Sequence, residues 1–212
     1  MKLNKNTIIF SIVLSTLMLG TAIQPVSAAH SNYNQTSAKT KPKSKPAAQN
    51  ANSKAVIAEL KRLRSQNKRS SLTEVNGLDI SSQYRAEHLA AIKNSNTVGW
   101  GTVHPNSYAG ENIVTVPDSK NAKTNAINII KKLYLDKNDP YLRHRKNMLN
   151  PFYIATGVGV AKGSDGNLYA VQTFSGIHPN SKDKVEQIHD YYNYYFQKGE
   201  SAKYKSHYDM TK

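Results

Sequence analysis

Cysteine is absent from all 212 residues. That excludes a disulfide framework, a thiolate metal site and a cysteine nucleophile. Acid is scarce: 14 Asp and Glu stand against 29 Lys and Arg, for a formal net charge of +15. An excess of this size favours polyanionic neighbours, which outside a cell are wall polymers, anionic lipid headgroups or shed nucleic acid. The basic residues do not interleave with aromatics as in a nucleic-acid module, so the charge points to a wall or membrane surface instead. No Gly-x-Ser-x-Gly elbow and no His-Glu-x-x-His helix occurs, which removes support for a conventional hydrolase. Only one apolar run approaches the roughly 18 residues that a membrane span needs, and it lies at the N-terminus.

That run, residues 8–23, follows Lys2 and Lys5 and closes on Val26-Ser27-Ala28. A charged start, an apolar middle and small residues at −3 and −1 make a secretory signal peptide over residues 1–28, cleaved before Ala29. An uncleaved anchor is the alternative; Pro25 and the small residues after it favour cleavage. Residues 29–52 are Ser, Asn, Gln, Ala, Pro and Lys, with Lys39, Lys41, Lys43 and Lys45 broken by Pro42 and Pro46. Such a stretch has nothing to bury and reads as an extended linker, either a plain spacer or a grip on an anionic wall.

The remaining roughly 150 residues are enough for one core without staples. Val56, Ile57, Leu60 and Leu63 recur at helical spacing from about Ser53. A second helix is predicted after the Asn76-Gly77 turn, with Leu78, Tyr84, Ala86, Leu89, Ala90 and Ile92 on or near one face. Residues 94–118 carry three glycines and two prolines and read mainly as loop. A third helix spans residues 122–135, with Ala126, Ile127, Ile130, Leu133 and Tyr134 inward. Residues 153–162 and 168–174, joined by Gly163-Ser164-Asp165-Gly166-Asn167, predict a β-hairpin. Early helices and late paired strands predict an α+β layered domain over residues 53–176. Residues 177–212 form a basic, Tyr-rich tail around Tyr191-Tyr192-Asn193-Tyr194-Tyr195-Phe196, read as a packed helix or as an aromatic surface for glycans.

Two histidines have marked contexts. His104 precedes Gly110-Glu111-Asn112-Ile113, and His144 opens His144-Arg145-x-Asn147-Met148-Leu149-Asn150-Pro151. The third helix lies between them and would bring the two groups together. Two imidazoles and a carboxylate are a minimal site for a first-row metal. Glu111 has a second reading, as an acceptor of backbone N–H bonds in a Gly-rich turn.

These two motifs, followed by Gly157-Val158-Gly159-Val160 and Tyr169-x-Val171-Gln172-x-Phe174, resemble the bacterial SCP-like branch of the CAP superfamily. That superfamily takes in cysteine-rich secretory, venom antigen-5 and plant pathogenesis-related proteins. The resemblance covers residues 53–176 and implies a three-layer α-β-α sandwich. It also implies a central cleft lined by two His and two acids, where zinc is seen in some members. His104, Glu111 and His144 match three of that set. The fourth does not carry over: Ile130 stands at the expected Trp and Leu133 at the expected Glu, with Asp136 one turn on. Arg143 replaces the usual Gly before the second His, and Asn147 is expected beneath the cleft, orienting the loop.

Three functions follow as expectations. The first is a secreted, non-catalytic binding module, retained by charge at the cell wall or a host surface and holding a divalent metal such as zinc. The second is a metal-assisted hydrolase with Glu111 as general base. The third is an adhesion protein in which the linker and Tyr-rich tail do the binding.

Overall fold

The computed structural model describes residues 50–95, 109–177 and 180–211. The expected leader, the linker up to residue 49 and His104 lie outside the described residues. Helix α1 runs Ala51–Gln66, two residues before the sequence-predicted start, because Asn50 caps it by accepting from Ser53 N at 3.0 Å. Its Val56, Leu60 and Leu63 are buried as the spacing requires. Strand β1 is a short piece, Thr73–Glu74. Helix α2, Asn76–Ile92, takes Asn76-Gly77 into its first turn rather than following it. Tyr84 and Ile92, expected inward, are 54 % and 46 % exposed. The buried face is instead built of small and polar residues, Asp79, Ser82, Ala86 and Ala90, with Leu89.

The sheet explains that choice. Strand β2 is Ala109–Pro117, β3 is Tyr153–Lys162 and β4 is Asn167–Gly176. The order is β1-β3-β4-β2, with β1 parallel to β3 and the other pairs antiparallel. Helix α2 lies against β3 so closely that a Cβ on Gly157 would sit 2.2 Å from the Leu78 carbonyl carbon, and one on Gly159 2.3 Å from Ser82 O. Only glycine on the strand and short residues on the helix allow that approach. Beyond the two residues that β1 covers, α2 takes over the strand edge: Asp79 Oδ1 accepts from Val158 N at 2.9 Å and Gln83 Oε1 from Val160 N at 3.1 Å.

Strand β2 occupies residues 109–117 of the stretch expected to be mainly loop; residues 96–108 lie outside the described residues. Gly110 and Pro117 sit at its ends, and between them Val114 and Val116 are buried in alternation with their neighbours. Full-length pairing with β4 outweighs the local turn residues. Helix α3, Ala122–Leu135, is capped by Asn121 and stops at Asp136, whose φ of 45° is left-handed. Its buried side holds Ile129 where the spacing suggested Ile127, which is half-buried. A short helix α4, Arg143–Leu149, follows.

Two apolar cores result. The larger lies between the sheet and α1, α3 and α4, and the smaller between the sheet and α2, around Leu89, Tyr169 and Val171. This is a three-layer α-β-α arrangement, α+β as the sequence predicted. Burial of a side chain such as Leu63 contributes about 2 kcal/mol, and Leu63→Ala would cost about 2–5 kcal/mol.

The Tyr-rich segment packs. Helix α5, Lys182–Tyr195, buries Tyr191, Tyr194 and Tyr195. Tyr191 Oη donates to Lys146 O at 2.7 Å, and Lys146 Nζ donates to Tyr194 O and Gln197 O at 2.8 and 2.7 Å. The chain then returns along α1. There Tyr208 donates to Glu59, Arg62 donates to Asp209 O, and Asn67 exchanges bonds with the His207 backbone.

Candidate functional site

The site gathers where β2 begins, α3 ends and α4 starts. Leaving α3 in a left-handed turn, Asp136 aims its carboxylate at the first turn of α4. Its two oxygens take His144 N at 2.9 Å and His144 Nδ1 at 2.8 Å. An ionised carboxylate has no proton to give, so the ring nitrogen donates, and in the neutral imidazole Nε2 carries the lone pair. The sequence places Asp136 one turn beyond the position of the missing acid. The signal that finds it is the helix end: an Asp that closes one helix just before another begins has N–H groups to accept.

Leu133, at the position the resemblance gives to the fourth acid, is 2 % exposed and packed in the larger core with Ile130. Arg143, in place of the usual glycine, turns onto Asp139 at 2.7 Å. Burial pushes the Asp139 carboxyl up, yet Arg143 and the N–H groups of Tyr141 and Arg143 hold it below its ordinary value. Arg145, on the other flank of His144, reaches Tyr134 O and Glu200 instead. The group beside the imidazole is therefore an acid, although two arginines flank it in sequence.

Glu111 sits near the start of β2, and its Oε1 lies 2.8 Å from Arg85 Nε on α2. The two side chains are 6 % and 21 % exposed. Neither the spacing nor the motif revealed Arg85, because α2 carries no recognisable signature there. Beneath lies a chain of buried amides. Asn147 Nδ2 donates to Asn112 Oδ1 at 2.9 Å, and Asn112 Nδ2 donates to Gln172 Oε1 at 3.1 Å and His144 O at 3.0 Å. These bonds lock β2, β4 and α4 together, and Asn147, which also donates to Glu111 O at 3.4 Å, lines the cleft.

The cleft is an open cavity of about 330 Å3, with Glu111, Asp136, Asp139, His144, Asn147 and Tyr195 among its walls. Tyr195 comes from α5, and burial pushes its hydroxyl well above the ordinary value. Among the described residues no three His, Asp or Glu side chains converge to hold a metal. His144 offers Nε2 in an orientation fixed by a carboxylate, which suits a metal ligand. Glu111 does not offer itself in the same way, since its carboxylate is held by a guanidinium. Glu111 and His144 alone, as placed, do not make a site for a divalent metal; His104, the third residue expected, lies outside the described residues.

The profile of the cysteine-rich secretory protein (CAP) family matches residues 57–174, more than half of the chain. The chain belongs to the CAP family. No curated protein matches it. Among solved CAP-fold structures it is similar to an outer surface protein from Borrelia burgdorferi, at 15% identity and TM-score 0.47, covering 60% of this chain and 93% of that one. An extracellular SCP-domain protein of Bacillus anthracis gives 17% identity and TM-score 0.44, covering 61% of this chain and 41% of that one. NaASP2, solved with Zn2+, gives 11% identity and TM-score 0.44, covering 61% and 82%. The CAP match ends before α5, so Tyr195 walls the cleft from a segment outside the family's matched region.

Proposed function

We propose that this CAP protein is exported and binds its ligand without turnover, at the bacterial cell wall or on a host surface. The observation that carries the reading is the pairing of the cleft: Glu111 is held by Arg85, Asp136 by His144 and Asp139 by Arg143. Such a cleft presents fixed charges and amide groups for recognition. The hydrolase alternative has Glu111 as general base, and that base is already bound to a guanidinium. Membership in a secretory family accords with the leader read in residues 1–28. The formal charge of +15 supplies the attraction to anionic wall polymers or lipids. No helix among the described residues is long and apolar enough to cross a membrane.

The test is retention on purified cell walls at about 0.1 M and about 1 M salt, between which the screening length falls from about 10 Å to about 3 Å. Release at high salt, and release on deletion of residues 29–52, supports binding by charge; retention indifferent to both refutes it. Turnover of a wall digest that Glu111→Gln abolishes would overturn the non-catalytic reading.

A further inference from the structure

A carboxylate brought into a protein needs a cation or several donors to offset its lost hydration. The CAP resemblance implies a cleft that holds a divalent metal in some members, and a metal there is one such cation. In this chain Glu111 has a guanidinium 2.8 Å away, on a helix that belongs to the other face of the sheet. Arginine stays charged at any ordinary pH, so the compensation is permanent. Its position is also rigid. Helix α2 is pressed onto Gly157 and Gly159, and Ser82, one turn before Arg85, bonds to Gly157 O at 3.2 Å and Thr173 Oγ1 at 2.9 Å.

The rest of the cleft agrees. Leu133 removes the second acid of the family's set, and Asp136 is spent on the backbone and ring of His144. The cleft lacks one carboxylate of the set that the resemblance implies and holds a cation that repels a dication. At close range inside a protein, such a like-charge contact costs far more than in water.

We infer that Arg85 is the resident cation of this cleft: it neutralises Glu111 in place of a divalent metal and so sets the cleft's affinity for metals low. The inference rests on the reading that Glu111 and His144 frame the functional cleft. It makes Arg85 a specificity-determining residue, one that turns a metal-type cleft into a metal-independent one whose ligand meets a preformed ion pair.

Calorimetric titration of zinc chloride into the full chain tests it, with wild type, Arg85→Met, Arg85→Met with Glu111→Gln, and Arg85→Met with His144→Ala. Arg85→Met is expected to bind zinc at least about tenfold more tightly than wild type, a difference of about 1.4 kcal/mol. Adding Glu111→Gln or His144→Ala should abolish the gain. Equal affinity in wild type and Arg85→Met, whether tight or undetectable, overturns the inference but leaves the binding role standing. A gain that survives both added substitutions places the zinc elsewhere and overturns the cleft reading as well. Since Arg85→Met takes the guanidinium from a buried carboxylate, urea unfolding supplies a second readout: Arg85→Met with Glu111→Gln should be more stable than Arg85→Met. A double variant less stable than the single one overturns the pairing.

Discussion

Lys146 is 1 % exposed, yet its ammonium is bonded to two carbonyl oxygens rather than to a carboxylate. It donates to Tyr194 O and Gln197 O and lies 4.1 Å from the Tyr194 ring centroid, so it ties α4 to the end of α5. Burial lowers its pKa from 10.5 to about 8. Below pH 8 the group is charged in folded and unfolded chains alike, and the cost of burying it is present in full. Between pH 8 and 10.5 the unfolded chain holds a proton that the folded one has released, so stability rises with pH. At about 1.36 kcal/mol per unit the full effect is about 3 kcal/mol. The tyrosines close the window from above. Burial raises Tyr153, Tyr191, Tyr194, Tyr195 and Tyr208, so as the pH nears 10 the unfolded chain loses their protons first and stability falls. Urea unfolding at constant ionic strength should therefore show wild type gaining about 2 kcal/mol relative to Lys146→Met from about pH 8 to about pH 10, while the tyrosines lower both chains alike. A wild type that gains nothing relative to Lys146→Met over that range refutes the reasoning.

Two further changes test the cleft's supports. Gly157→Ala drives a methyl into the α2 backbone and should cost about 3 kcal/mol in urea unfolding; a cost under about 0.5 kcal/mol would mean that α2 does not sit on β3 as described. Asp136→Asn removes the carboxylate that fixes His144 Nδ1 as a donor. Nitrogen-15 shifts of the imidazole should report a single tautomer, with the proton on Nδ1, in wild type and a mixture in the variant. An unchanged tautomer in the variant would show that Asp136 does not set it.

Where burial and local periodicity agree, the sequence was sufficient: α1 starts within two residues of its expected place, and α3 and the β3–β4 hairpin fall within a residue or two of their expected ends. It misled where a partner supplied by the fold decides. Strand β2 looked like loop because its glycine and proline were counted, while its ladder with β4 lay far along the chain. Tyr84 and Ile92 looked inward because an apolar face was sought on α2, but the helix packs through small residues onto two glycines. In the cleft, Glu111, His144 and Asn147 were legible because their motifs carry them. Arg85 was not, since its contact with Glu111 joins α2 to β2, and Asp136 was legible only as an acid one turn beyond the missing one, without its bond to His144. The buried amide pair Asn112–Gln172 lay inside the quoted motifs, yet only the register of β2 on β4 shows that the two meet.

The central claim is that this CAP cleft is closed by its own charges. Crystals of the full chain soaked in zinc, with anomalous scattering collected at the zinc edge, test it most directly. The account predicts no ordered zinc at Glu111 and His144, with Arg85 still on Glu111. A strong anomalous peak between His144 Nε2 and Glu111, with Arg85 displaced, would contradict it.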